Sequence, residues 1–144
     1  MSTRIKFKPI VDRIKTVVGP SQARVGSSFD RNFVLTFAKE LPEVWVVKSD
    51  SSPQSSATAL SNRFRQYMYT DVGIRVMMSR FPDGSLEVET AFSKLCDDVA
   101  SAIIGWSLPE SKEPFEWLAS TDGDPDQSIV YCDLVFRTLI SYQR

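Results

Sequence analysis

The chain has 144 residues, of which 42% are hydrophobic and 24% charged, with a formal net charge of −1. That is one domain's worth of polypeptide with enough apolar side chains for a core, which argues against disorder and against a nucleic-acid footprint spread over the surface. No apolar run approaches the roughly 20 residues of a membrane helix, and the opening MSTRIKFKPI lacks the apolar stretch of a secretory signal, so a reducing cytosolic setting is expected.

Along the chain, residues 5–18 place Phe7, Ile10, Val11, Ile14, Val17 and Val18 at helical spacing, with Lys6, Asp12, Arg13 and Lys15 turned outward. Gly19-Pro20 is the expected stop. Serines before Phe29 can cap a short helix over residues 30–40, lined by Phe29, Phe33 and Phe37 and closed by Pro42. EVWVVKS is short, apolar and rich in β-branched residues, which predicts a central strand. SDSSPQSSATALS is small and polar and predicts a long loop.

The strongest β signal is residues 63–81. Phe64, Gln66 and Met68 alternate with Arg63, Arg65, Tyr67 and Tyr69. Then Val72, Ile74, Val76 and Met78 alternate with Arg75, Met77 and Ser79. Gly73 suggests a bulge or bend between two halves, and Pro82–Gly84 a turn. A long helix follows, with a stripe from Leu86 through Phe92, Leu95, Val99 and Ile103 to Trp106. Gly105 is suited to a left-handed C-terminal cap, with Trp106 folding back on the last turn. SLPESKEP then stops both helix and ladder.

PFEWLAST and QSIVYCDLVFRTLISY read as antiparallel strands joined by a DGDPD loop. On the last strand Val130, Cys132, Leu134, Phe136, Ile140 and Tyr142 share one face. Ile129, Tyr131, Asp133, Val135, Arg137 and Leu139 share the other. That second face is too apolar for plain solvent and suggests a covering layer or another subunit. The expected fold is α+β: a mostly antiparallel β-sheet with a long helix and an N-terminal helix packed on one face.

The chemistry-bearing constellations are sparse. Without histidine, the commonest general base and zinc ligand are missing, and no enzyme is expected. DGDPD lacks the glutamate that an EF-hand loop needs. Asp97 and Asp98 diverge by about 100° on a helix and do not form a carboxylate pair. No glycine-rich phosphate loop is present, so no cofactor and no metal are expected. Cys96 and Cys132 lack C-x-x-C spacing and read as buried small hydrophobes. The stripe Arg63, Arg65, Tyr67 and Tyr69 could track a nucleic acid, but on a near-neutral chain it reads better as a protein interface or lumen wall.

The order of elements resembles the tail terminator, or tail completion, proteins of long-tailed bacteriophages and prophages, more narrowly their Gp37-like branch. The resemblance spans roughly residues 7–142. It is carried by LPEVWVVKSD (41–50), TDVGIRVMMSR (70–80), VASAIIGWSLPE (99–110) and the closing FEWLAST…IVYCDLVFRTLISY (115–142). Members end a long helix in a similar GW-x-P signature. Here Gly105-Trp106-Ser107-Leu108-Pro109 is one residue longer.

The resemblance implies a non-enzymatic virion protein at the head-proximal end of the tail, assembled in the host bacterial cytoplasm. It implies a homohexameric ring that stops tube polymerisation and serves head-tail joining. The implied partners are other copies of itself, the tail tube protein and a head-completion or connector protein. No membrane and no specific nucleic-acid binding are implied, although DNA can pass through such a ring. A ring needs two different patches on each subunit. The candidate interface residues are Arg63, Arg65, Tyr67 and Tyr69 in one patch and Tyr131, Asp133, Val135 and Arg137 in the other. The alternatives are another head-tail connector or tail structural protein, or a small phage-encoded host-binding protein.

Overall fold

The computed structural model describes residues 6–19, 22–28, 42–48, 54–55, 65–79, 86–126 and 129–143. The elements are α1 (Phe7–Lys15), β1 (Arg24–Ser28), β2 (Glu43–Lys48), β3 (Gln54–Ser55), β4 (Arg65–Ser79), α2 (Leu86–Ile103), β5 (Glu116–Asp126) and β6 (Ile129–Gln143). The sheet runs β1-β2-β4-β6-β5, with β3 pairing on β4 off this path. Among the described residues, only β1–β2 is parallel. The expected helix over 30–40, the turn at 82–84 and Arg63 lie outside the described residues.

The sheet is built on β4 and β6, which pair along their whole length from Arg65↔Gln143 to Ser79↔Ile129. The described even-numbered residues from Val72 to Ile140 of the two strands point to one face. Val72, Ile74 and Val76 meet Cys132, Leu134, Phe136 and Ile140 there, all buried. Val44 and Val46 of β2 extend the same face. Ile10, Val11 and Ile14 of α1 and Leu95, Val99 and Ile103 of α2 cover it. Both helices therefore lie on one face, as expected. Loss of water from this apolar surface, worth about 25 cal/mol per Å², holds them there.

Several local expectations are corrected. The first helix stops at Lys15, not at Gly19-Pro20. Thr16 N–H donates to the Arg13 carbonyl and Val17 N–H to that of Ile14, tightening the chain early and leaving Val17 exposed while Val18 returns to the core. β1 was not foreseen. RVGSS is too short and polar to show a strand period, and its pairing comes from β2, which it matches from Arg24↔Glu43 to Ser28↔Val47. The polar loop contributes β3, which pairs Gln54 with Tyr69 and Ser55 with Met68.

Gly73 does not break β4, which is one continuous strand. Gly73 stands in unbroken register between Val47 and Val135. A Cβ on Gly73 would meet Val47 Cγ2 at 3.1 Å, so the glycine answers to a close neighbour rather than a bend. DGDPD is not a free loop but the end of β5, with pairing irregular between Gly123 and Asp126. SLPESKEP does not stop all pairing: Lys112 N–H donates to the Leu139 carbonyl at 2.7 Å, and Ser111 bridges to Ile140. Thr138 Oγ1 donates to the Glu113 carbonyl, satisfying a polar side chain buried among apolar ones.

Candidate subunit interface

The face of the sheet away from α1 and α2 carries the odd-numbered residues of β4 and β6. Pairing sets Tyr69 beside Leu139, Asp71 beside Arg137, Gly73 beside Val135, Arg75 beside Asp133 and Met77 beside Tyr131. Arg65 and Tyr67 continue the same odd series at Gln143 and Ser141. By register, Tyr69 shares this face with Tyr131, Asp133, Val135 and Arg137. Arg63, the first of them, is outside the described residues.

Charge on this face is largely neutralised within the chain. Arg75 donates through Nε and Nη2 to the two carboxylate oxygens of Asp133, both at 2.7 Å. Its guanidinium sits 4.3 Å from the Tyr131 ring centroid. Arg75 is 4% and Asp133 7% exposed. Arg137 makes the same fork to Asp71 at 2.7 and 3.2 Å and lies 5.5 Å from the Tyr69 ring centroid. Its hydrogen bonds to Asp71 hold the Arg137 guanidinium above its ordinary pKa. At the β2 end, fully buried Glu43 accepts from Trp45 Nε1 at 2.8 Å and pairs with Arg24 at 3.8 Å.

These pairs fix register as much as they stabilise. A forked guanidinium–carboxylate bond is directional. One antiparallel register satisfies both forks at once. A slip by two residues would set Arg75 opposite an uncharged residue and strand Asp71 as well. The apolar alternation alone would tolerate such a slip; the charges do not.

Asp133 is therefore enclosed within its own chain, whereas Tyr69, Tyr131, Val135, Arg137 and Leu139 keep part of their surface open. The partners Asp71 and Arg75 were missed in the sequence. Their signal is opposite charge at odd positions of two strands that would pair.

A second surface was also missed. β5 is an edge strand, and residues 116–122 are all exposed. Its pairing skips between Trp117↔Phe136 and Ala119↔Val135, a bulge at Leu118. Trp117 is 51% and Leu118 40% exposed, and Trp117 Nε1 donates to the Ala119 carbonyl at 2.9 Å. The bulge interrupts the outer row of backbone groups, which discourages strand addition, and it re-aims these side chains outward. Chain alternation gave no warning, because the parity of β5 changes at the bulge.

A family model described as "Phage tail terminator protein" matches residues 1–144. Among solved structures, a chain from the virion of a native gene transfer agent particle is similar in fold, with a TM-score of 0.60 and 13% identity over 92% of each chain. No curated protein sequence matches.

Proposed function

The chain belongs to the phage tail terminator family, and from that premise we propose that it caps the head-proximal end of a tail tube as a ring, stops tube polymerisation and offers the surface for head-tail joining. The observation that carries this reading is the family match over the full 144 residues. The similarity in fold to a component of a gene transfer agent virion supports a place in a particle. No catalytic role enters the proposal.

A closed ring joins two different patches of neighbouring subunits. The half-open part of the odd sheet face, with Tyr69, Val135 and Arg137, is one. The Trp117–Leu118 corner of β5 is the other, and we assign it to contact with a second copy of the chain. Tyr, Trp and Arg are the side chains that concentrate interface energy. The test is to mix the purified protein with growing tail tubes of the same phage and image them by negative-stain electron microscopy. Density closing one end, with growth blocked, is expected. Tubes that stay open and lengthen would overturn the reading.

A further inference from the structure

The two edges of the sheet carry opposite charge. Residues 110–122 run along the outer side of β6. Ser111 bridges to Ile140, Lys112 N–H donates to the Leu139 carbonyl, and β5 continues the line from Glu116↔Arg137 to Asp122↔Cys132. This stretch holds four carboxylates, Glu110, Glu113, Glu116 and Asp122, against the one lysine Lys112, and all five residues are exposed. Arg137 borders Glu116 but is already forked to Asp71. Exposed Trp117 and Leu118 lie within the same stretch.

The opposite edge is cationic. Residues 6–24 hold five cations against the single carboxylate of Asp12. β1 ends the sheet here, and α1 packs over β1 and β2. Arg13 turns toward α2, where it binds the Ala102 carbonyl. Lys8 and Lys15 lie about 140° and 160° round the helix from Arg13, on the flank turned away from α2. Both are exposed. Lys8 pairs with Asp12 in solvent, a weak engagement, and Lys15 has no ion pair among the described residues. Half-exposed Arg24, 3.8 Å from buried Glu43, stands at the same edge. Val17, just beyond Lys15, is 40% exposed and supplies apolar ground.

We propose that the acidic β5 edge of one copy docks on the cationic α1–β1 edge of a second copy. Trp117 and Leu118 meet the surface around Val17, and the flanking carboxylates meet Lys8, Lys15 and Arg24. This rests on the assignment of the Trp117–Leu118 corner to a second copy and adds the surface that receives its charges. The two edges stand at opposite ends of the strand order β1-β2-β4-β6-β5. The contact is therefore head-to-tail, the kind that can close a ring. A symmetric contact of either edge with itself would bring like charges together. Charge thus orients each copy against its neighbour as well as attracting it.

The test is sedimentation velocity on the purified full chain alone, over rising concentration, with no tail tubes present. Wild type is expected to associate at low salt. Raising salt from about 0.05 M to about 0.5 M is expected to weaken that association at least about ten-fold. Lys8→Glu with Lys15→Glu turns the α1 flank acidic, and Glu110→Lys with Glu113→Lys turns the β5 edge basic. Glu116 is left in place because it borders Arg137. Each double variant is expected to stay monomeric. An equimolar mixture of the two, and the chain carrying all four changes, are expected to associate again. A monomeric wild type, association indifferent to salt, or a mixture that fails to recover would overturn the proposal. The wild-type salt series decides it even if a variant folds poorly. Chains that associate in this way yet leave tubes open would sink the terminator reading alone.

Discussion

Arg75 and Asp133 show what a buried charge pair does in a sheet. Neither has enough solvent around it to stay charged cheaply, so each depends on the fork between them at 2.7 Å and on its other neighbours. Asp133→Ala should destabilise the fold by about 3 kcal/mol, whereas the double variant Arg75→Met, Asp133→Leu should recover most of that loss. Urea midpoints of wild type, both single variants and the double variant measure this directly. Equal midpoints for Asp133→Ala and wild type would show that the pair carries no net weight. A neighbouring test concerns Gly123, which faces Tyr131 across β5–β6. A Cβ there would clash with Cζ and the hydroxyl oxygen of Tyr131, whose ring sits under Arg75. Gly123→Ala should therefore cost about 1–3 kcal/mol through forced displacement of the ring. In a Tyr131→Ala background the same substitution should be nearly silent. A cost that persists there would trace to the backbone instead.

The end of α2 shows how one element is stopped and aimed. Gly105 has φ +80°, and its N–H donates to the Phe115 carbonyl while Phe115 N–H donates to the Trp106 carbonyl. The Ala102 carbonyl, left without a helical partner, accepts from Arg13 Nε of α1 at 2.8 Å. Trp106 stacks on Phe115 with centroids 6.0 Å apart, so the chain leaves the helix already directed toward β5. Open space surrounds the place of a Gly105 Cβ. Gly105→Ala should then cost only the left-handed backbone term, about 1–2 kcal/mol, read as a lowered urea midpoint with unchanged slope. A neutral result would mean the turn relaxes to another conformation. This glycine was legible in the sequence because a cap is a local event. So were the stripe of α2 and the alternation of β4 and β6, because burial on one face writes itself as a period. β1 was not legible, since RVGSS gains its strand from β2 rather than from its own side chains. The bulge at Leu118 was not legible either, since it is defined only by the skip between Trp117↔Phe136 and Ala119↔Val135. The ion pairs needed the strand register before Asp71 and Arg75 had partners.

At the scale of the molecule, the sheet has one face buried under helices and another on which Asp71, Arg75, Asp133 and Arg137 are already paired inside the chain. The proposed ring would then depend on surface that is open and has no internal duty. Trp117 and Leu118 meet both conditions. Each is at least 40% exposed, and the one hydrogen bond of the Trp117 side chain is to a carbonyl two residues away. Replacing them with Trp117→Glu and Leu118→Lys should change unfolding stability by no more than about 0.5 kcal/mol each, as for surface positions outside the core. Their effect on a ring should be far larger. A buried Trp at an interface is worth about 2 kcal/mol or more, and a closed ring repeats the loss at every joint. The expected result is a protein that melts like wild type yet leaves tail tubes uncapped in the imaging assay. Arg137→Ala makes a poor substitute for this test, because it also releases buried Asp71 and confuses folding with assembly. If Trp117→Glu and Leu118→Lys both cap tubes normally, the β5 corner is not a subunit joint. The next candidate for the second patch is the opposite edge of the sheet, on β1, where half-exposed Arg24 covers Trp45.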